Sequence, residues 1–347
     1  MTLAYYPGCS MHGTSREYEE SLLAVAAALE VELAEIDDWS CCGASSAHVA
    51  DHLLGVALPA RNLALAEAQG ADQVLAPCAA CYNRLSGAAY AVAEEPGMAA
   101  KVPRVLGRSF SNSVRVLSIV ELLQGLAPAI EERVAARLEP NPLEHLNVAA
   151  YWGCLLVRPV EITGFDDAEQ PTGMDDVIGA CGANPVRWNM AVECCGGAFS
   201  VSRTSSVLRL SRAIIDDARR CGADAVLAAC PLCHANLDFR QSAMSLRGEP
   251  PMPVLYITQL VGLALGLPMA TLGFERHFVD TQPLFARLAR EADKAAAAVA
   301  EREAAKAART AARAEATGAG AEPAGAPNAT ATATLEQTHD SGGGEDS

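Results

Sequence analysis

Gly70-Ala71-Asp72-Gln73-Val74-Leu75-Ala76-Pro77-Cys78 returns later in the chain as Gly222-Ala223-Asp224-Ala225-Val226-Leu227-Ala228-Ala229-Cys230. Each copy follows a stretch of helix-forming composition, residues 47–69 in the first case and 205–221 in the second. Glycine is preferred just past a helix C-terminus, because it accepts left-handed backbone without a Cβ penalty. The four residues 73–76 and 225–228 are too short for a helix and read as buried strands. Each strand runs into a Cys-x-x-Cys turn, Cys78-Ala79-Ala80-Cys81 or Cys230-Pro231-Leu232-Cys233. Helix, strand and cysteine turn form one unit, present twice.

The duplication extends outward. The first half holds Cys9, Cys41-Cys42-Gly43, Cys78 and Cys81, with spacers of 31, 35 and 2 residues. The second holds Cys154, Cys194-Cys195-Gly196, Cys230 and Cys233, with spacers of 39, 34 and 2. Ten of the twelve cysteines fall on the repeat, leaving Cys181 and Cys221 as expected core thiols. Ala4-Tyr5-Tyr6-Pro7-Gly8-Cys9 is matched by Ala150-Tyr151-Trp152-Gly153-Cys154.

Residues 3–6 and 148–151 read as strands ending in Gly-Cys turns, and 114–119 and 254–257 as last strands. Residues 17–33 read as a helix, with 174–181 as its weaker counterpart. Strands alternating with helices predict an α/β fold with mainly parallel sheets and ligand sites beyond the strands' carboxyl ends.

The expected architecture is therefore two homologous Rossmann-like half-domains, residues 1–140 and 147–290, related by pseudo-twofold symmetry. Glu139-Pro140-Asn141-Pro142 breaks the chain between them. Residues 291–347 are alanine-rich and charged, then rich in Gly, Ala, Thr, Pro and Glu, which predicts an exposed helix followed by disorder.

The chain has 347 residues, with 42 acidic against 26 basic and a formal net charge of −16. That balance disfavours nucleic acid or an anionic membrane as partner. No secretory signal and no uninterrupted apolar span is visible, so a cytoplasmic protein that does not span a membrane is expected. Structural disulfides are rare in a reducing compartment, so the cysteines point to metal binding or redox work.

Five thiols per half is an unusual number. A structural zinc ion takes four ligands, and an ordinary cubane cluster also takes four cysteines. The adjacent pair before a glycine sits in a tight turn that can aim both thiols at one multi-iron body. Zinc in one or both halves, with a purely structural role, is the alternative at this point.

Tyr-x-Gly-Cys, Cys-Cys-Gly and the closing Cys-x-x-Cys resemble the cysteine-rich CCG domain, present twice over about residues 1–280. The strings Cys78-Ala79-Ala80-Cys81-Tyr82-Asn83-Arg84-Leu85 and Tyr151-Trp152-Gly153-Cys154-Leu155-Leu156-Val157-Arg158-Pro159 are similar to the family of heterodisulfide reductase B subunits. The resemblance implies a noncubane 4Fe–4S cluster on Cys9, Cys41, Cys42, Cys78 and Cys81, and a second on Cys154, Cys194, Cys195, Cys230 and Cys233. It further implies a disulfide reduced or formed between the two clusters. The implied partners in such a heterodisulfide reductase are its ferredoxin-like iron–sulfur subunit, of the C type, and its flavin-containing subunit, of the A type.

Similar repeats also occur in electron-relay or quinone-interacting subunits of 2-hydroxy-acid and succinate dehydrogenase-like complexes. His277 is the further residue that could approach a substrate thiol or carboxylate. His12, His234, Arg84 and Arg158 lie near the cysteine motifs and are expected in supporting or local roles. Trp39, Trp152 and Trp188 are expected in the core or at an interface.

Overall fold

The computed structural model of the chain describes residues 1–44, 46–137, 141–244 and 248–318. Glu139-Pro140 of the expected break and residues 319–347 of the tail lie outside the described residues. Just beyond the break, the Asn141 side chain accepts the Leu143 N–H and starts a 3-10 turn, Pro142–His145.

Two four-stranded parallel sheets carry the fold. The first comprises β1 (Thr2–Tyr5), β2 (Glu32–Glu35), β3 (Gln73–Ala76) and β4 (Arg115–Ser118), in the order β2-β1-β3-β4. The second comprises β5 (Asn147–Tyr151), β6 (Asn184–Pro185), β7 (Ala225–Ala228) and β8 (Val254–Tyr256), in the order β6-β5-β7-β8. The first sheet is followed through the chain by α1 (Gly8–Met11), α2 (Arg16–Ala28), α3 (Ala47–Ala50), α4 (His52–Ala68), α5 (Ala79–Glu94), α6 (Met98–Leu106), α7 (Ile119–Gly125) and α8 (Ala127–Ala135). The second has α9 (Val160–Thr163), α10 (Gly173–Ala180), α11 (Thr204–Arg220), α12 (Pro231–Leu237) and α13 (Ile257–Ala264), before α14 (Gln282–Gly318).

β3 and β7 fall where the repeated nonapeptide places them. They lie inside their sheets, so apolar side chains on both faces are covered, and Leu75 and Leu227 are completely buried. Each such leucine contributes about 1.5–3 kcal/mol. One continuous core takes in Leu3 and Leu75 from the first sheet and Val148, Leu227 and Leu255 from the second. Helices from each half pack across to the other. α2 meets α13, and α10 meets α7, the corresponding pair. Ser21 and Thr258 join hydroxyls at 2.6 Å in the first of these contacts. This reciprocal exchange of contacts is what a pseudo-twofold axis produces.

Three local expectations change. The helix expected over 17–33 stops at Ala28; Glu30 takes a φ of 59° and Glu32–Glu35 pairs with β1 instead. Glu-Leu-Ala-Glu has helix propensity, but backbone pairing with β1 outweighs it at this solvent-facing edge. The helix expected over 47–69 divides at Asp51, which is extended and accepts the Leu54 N–H at 2.7 Å as the cap of α4. The two-residue strand β6 was not expected at all. Residues 291–318 continue α14, and the chain divides into compact units Met1–Ala296 and Ala297–Ser347. Both sheets and all twelve cysteines belong to the first unit.

Candidate metal centre

Each cysteine of the repeat sits where a strand hands over to a helix or turn. Cys9 lies in α1 just after β1, and Cys154 follows β5. Cys78 and Cys230 end the segments after β3 and β7 and cap α5 and α12, whose first turns carry Cys81 and Cys233. Cys41-Cys42 and Cys194-Cys195 occupy the turns after the edge strands β2 and β6. The carboxyl ends of parallel strands converge there, which is why residues distant in sequence meet.

The thiols come together in two sets that touch. In the first half, Cys9 lies beside Cys41, Cys42 lies 3.3 Å from Cys81 (Sγ to Sγ), and Cys81 lies beside Cys78. In the second, Cys154 lies beside Cys194, Cys195 lies 3.5 Å from Cys233, and Cys233 lies beside Cys230. Cys78 and Cys230, equivalent residues of the two repeats, face each other across the junction, close enough that each shifts the other's ionisation. Both are buried, whereas Cys9, Cys41 and Cys194 are exposed.

Several of these thiols are primed to ionise. The bond from Cys81, helped by the Ala44 N–H, brings Cys42 down to about 7. The bond from Cys154, helped by the Gly196 and Gly197 N–H groups, brings Cys194 down to about 6. Burial pushes Cys41 up despite the Gly43 N–H, which donates to its sulfur at 3.4 Å. Gly196 N–H donates to Cys194 at 3.3 Å in the same way. Thiolate is the ligand form, so these donors favour a cation or cluster in the pocket.

A glycine and a tyrosine complete each set. Gly8 and Gly153 have φ of 69° and 63°, and a Cβ added there would lie 3.0 Å from Cys81 Sγ and 3.3 Å from Cys233 Sγ. Tyr6 donates its hydroxyl to Ser40 O at 2.8 Å, and Tyr151 donates to Glu193 O at 2.6 Å. The accepting carbonyls each precede a Cys-Cys pair. Burial first, then the surrounding thiols of its own half, push both phenols far above their usual range. Five thiols, a glycine without side chain and two turn N–H groups fit a compact anionic cluster in each half. Tyr6 and Tyr151 both stand three residues before the first cysteine, a regularity of the repeat that could have drawn attention to them.

The remaining candidates stay outside the thiol sets. His12 pairs with Glu19 at 3.2 Å and meets Trp39 edge-on. Arg84 bonds to Asn83, and Arg158 to Glu169 and Val192 O. Trp152 is buried in the core, and Trp188 donates to Ala150 O at 3.0 Å. Cys181 is fully buried and Cys221 only partly so. His234 is buried, stacked on Tyr256, and bonded through Nε2 to Val254 O. His277 lies edge-on to His234 and lines a surface cavity with Phe274 and Phe278.

His234, Asp238 and His277 bring possible metal-ligand atoms within 4.8 Å of one another. The Gln259 amide argues against His277 Nε2 as a ligand there. Its Oε1 accepts the Tyr256 N–H and its Nε2 donates to Leu272 O, so the same NH2 also donates to His277 Nε2. Nε2 is thereby occupied and the ring proton is assigned to Nδ1, which is buried without a hydrogen-bond partner. Asp238 accepts the Phe278 and Val279 N–H groups and holds that segment.

Burial, against those two donors, pushes the Asp238 carboxyl up to about 6 from 3.8. Because the folded value is raised, the stabilisation is fully present below the unfolded value and is lost as pH rises through the folded one. The expected loss is on the order of 2–3 kcal/mol. Asp238→Asn does not titrate, so urea melts should show wild type losing that much stability relative to the variant between pH 4 and pH 7. A difference that stays constant with pH would contradict the assignment.

Comparison with known proteins now adds to the geometry. The family described as CCG, cysteine-rich domain, matches residues 3–86 and 148–238. The chain is 33% identical over 283 residues to the 8-methylmenaquinol:fumarate reductase membrane anchor subunit of Wolinella succinogenes, covering 81% of this chain and 98% of that one. It is 28% identical over 295 residues to the B subunit of the ferredoxin/F420H2-dependent CoB–CoM heterodisulfide reductase of Methanosarcina acetivorans, covering 82% and 96%. A crystal structure of a hypothetical protein from Helicobacter pylori shares the fold with a TM-score of 0.61 and 14% identity, over 80% of this chain and 52% of that one. With the motif complete in both halves and matched over three strands of each sheet, the chain belongs to the CCG cysteine-rich domain family.

Proposed function

We propose that the chain is an iron–sulfur electron-transfer subunit of an oxidoreductase complex, which holds two 4Fe–4S clusters of the noncubane type and uses them together on a disulfide. One cluster is assigned to Cys9, Cys41, Cys42, Cys78 and Cys81, the other to Cys154, Cys194, Cys195, Cys230 and Cys233. The observation that carries the reading is the contact of two complete five-thiol sets through Cys78 and Cys230. Splitting an S–S bond takes two electrons and two protons and gives two thiols. Bound clusters would supply those electrons singly from two adjacent places.

The chain's own residues prepare that site. Gly8 and Gly153 leave room beside Cys81 and Cys233, and the Gly43 and Gly196 N–H groups stabilise thiolate. The buried Cys78–Cys230 junction keeps water from the shared edge. Exposed Cys9, Cys41 and Cys194 mark where a small disulfide or an electron-exchanging partner can approach. The electrons would come from two partner subunits, one carrying iron–sulfur clusters and one carrying flavin, in the cytoplasm.

The relative at 33% identity favours a second reading, an electron-relay or quinone-interacting subunit of a fumarate, succinate or 2-hydroxy-acid dehydrogenase-like complex. Among the described residues, no helix is long and apolar enough to cross a membrane.

One experiment tests both. Protein reconstituted without oxygen should hold about eight irons per chain, and after oxidation a small thiol should change its paramagnetic resonance spectrum. Full iron with a spectrum indifferent to thiols but responsive to a quinol would select the relay. Iron well below two clusters would remove both readings and leave a zinc-stabilised scaffold.

A further inference from the structure

We propose that Tyr18 is a positioning residue that sets the spacing between the two cluster sites. The proposal rests on the two-cluster reading above. Tyr18 comes from α2 of the first half and is completely buried at the junction of the halves. Its hydroxyl lies 3.2 Å from Pro77 O and 3.3 Å from Ala229 O. These carbonyls occupy the same place in the two repeats, each immediately ahead of the first cysteine of a Cys-x-x-Cys turn. A single O–H proton is therefore shared between the backbones that carry Cys78 and Cys230.

The ring is held as firmly as the hydroxyl. Tyr18 stacks on Tyr256 at 4.1 Å, with 9° between the planes, and Tyr256 stacks on His234 at 4.0 Å. His234 is anchored to Val254 O and directly follows Cys233. Ser21, one turn further along α2, bonds to Thr258 at 2.6 Å and fixes the helix against α13. The phenol cannot slide along the junction without breaking this stack. Both of its partners are carbonyl oxygens, so the hydroxyl is the donor. α10, which takes the place of α2 in the second half, contains no hydroxyl residue, so the clamp is supplied from one side only.

Electronic coupling between redox centres depends steeply on their separation, and backbone hydrogen bonds to ligand loops set that separation. Tyr18→Phe keeps the ring and its stack but removes the shared proton. Two readouts on the full-length chain are expected to change. With both clusters in a paramagnetic state, the magnetic splitting between them should fall by at least half. In metal-free protein treated with diamide, two thiols lose two electrons and two protons to the reagent. The yield of the Cys78–Cys230 disulfide, measured by mass spectrometry, should drop about five-fold, the weight of one buried hydrogen bond.

Thermal melting and iron content are measured in parallel. A variant with wild-type melting, iron, splitting and cross-link yield would show Tyr18 to be packing alone and overturn the proposal. Should Tyr18→Phe fail to fold, 3-fluorotyrosine at position 18 keeps the hydroxyl and strengthens it as a donor; the splitting should then rise, and an unchanged splitting overturns the proposal. If wild type itself holds less than two clusters' iron, the functional reading fails. The cross-link yield, which needs no iron, still decides the role of Tyr18.

Discussion

Cys42→Ser is expected to lower bound iron from about eight to about four per chain and to abolish turnover in the assembled complex. Cys42 is buried, lies 3.3 Å from Cys81 and is brought down to about 7, so it supplies a thiolate at the centre of its set. A serine hydroxyl does not ionise near neutral pH and binds iron weakly. Even changes to groups behind a ligand cost about 10- to 100-fold in metal affinity, so loss of the ligand costs more. Cys195→Ser should do the same to the other half, because Cys195 faces Cys233 at 3.5 Å. The two variants should retain different clusters, distinguishable by paramagnetic resonance, and the double variant should retain neither. Iron analysis that finds both clusters lost from either single variant, or none, would show that the thiols do not divide into two sets.

Gly8→Ala is expected to lower the melting temperature and to empty the first set. At a φ of 69° an alanine is strained by about 1–2 kcal/mol. Its Cβ would also stand 3.0 Å from Cys81 Sγ, and Cys81 is packed against Cys42 and Cys78 with nowhere to retreat. Together these should lower the melting temperature by roughly 3–8 °C. Gly153→Ala carries the same strain, but its Cβ would meet Cys233 at the easier distance of 3.3 Å. It should therefore cost less and retain more iron. Melting curves of both variants, with iron measured on each, check the ranking; equal losses would mean that strain alone decides and that sulfur crowding is unimportant.

The sequence showed β3 and β7 to the residue, because four apolar residues stand between a helix-ending glycine and a cysteine turn. It showed the ten thiols as two sets because spacing survives duplication. It did not show β2, whose Glu-Leu-Ala-Glu favours a helix and becomes a strand only when β1 offers a partner. β6 is two residues long, and no periodicity can appear in two residues. Tyr18 was invisible for another reason: its hydroxyl meets Ala229 O across 211 positions, and nothing local to Glu17-Tyr18-Glu19 reports that meeting. His277 stood out by its chemistry, yet its proton placement depends on how Gln259 is oriented, which only the fold specifies.

The uneven exposure of the cysteines orders events in time. Solvent meets Cys9, Cys41 and Cys194, while Cys78 and Cys230 are sealed at the junction. In the empty protein the first sulfur that a peroxide or alkylating agent meets in its reactive form is Cys194, exposed and already inclined to ionise near pH 6. Damage therefore begins at the rim and works inward, and the buried meeting of Cys78 with Cys230 is the last part of the array to be lost.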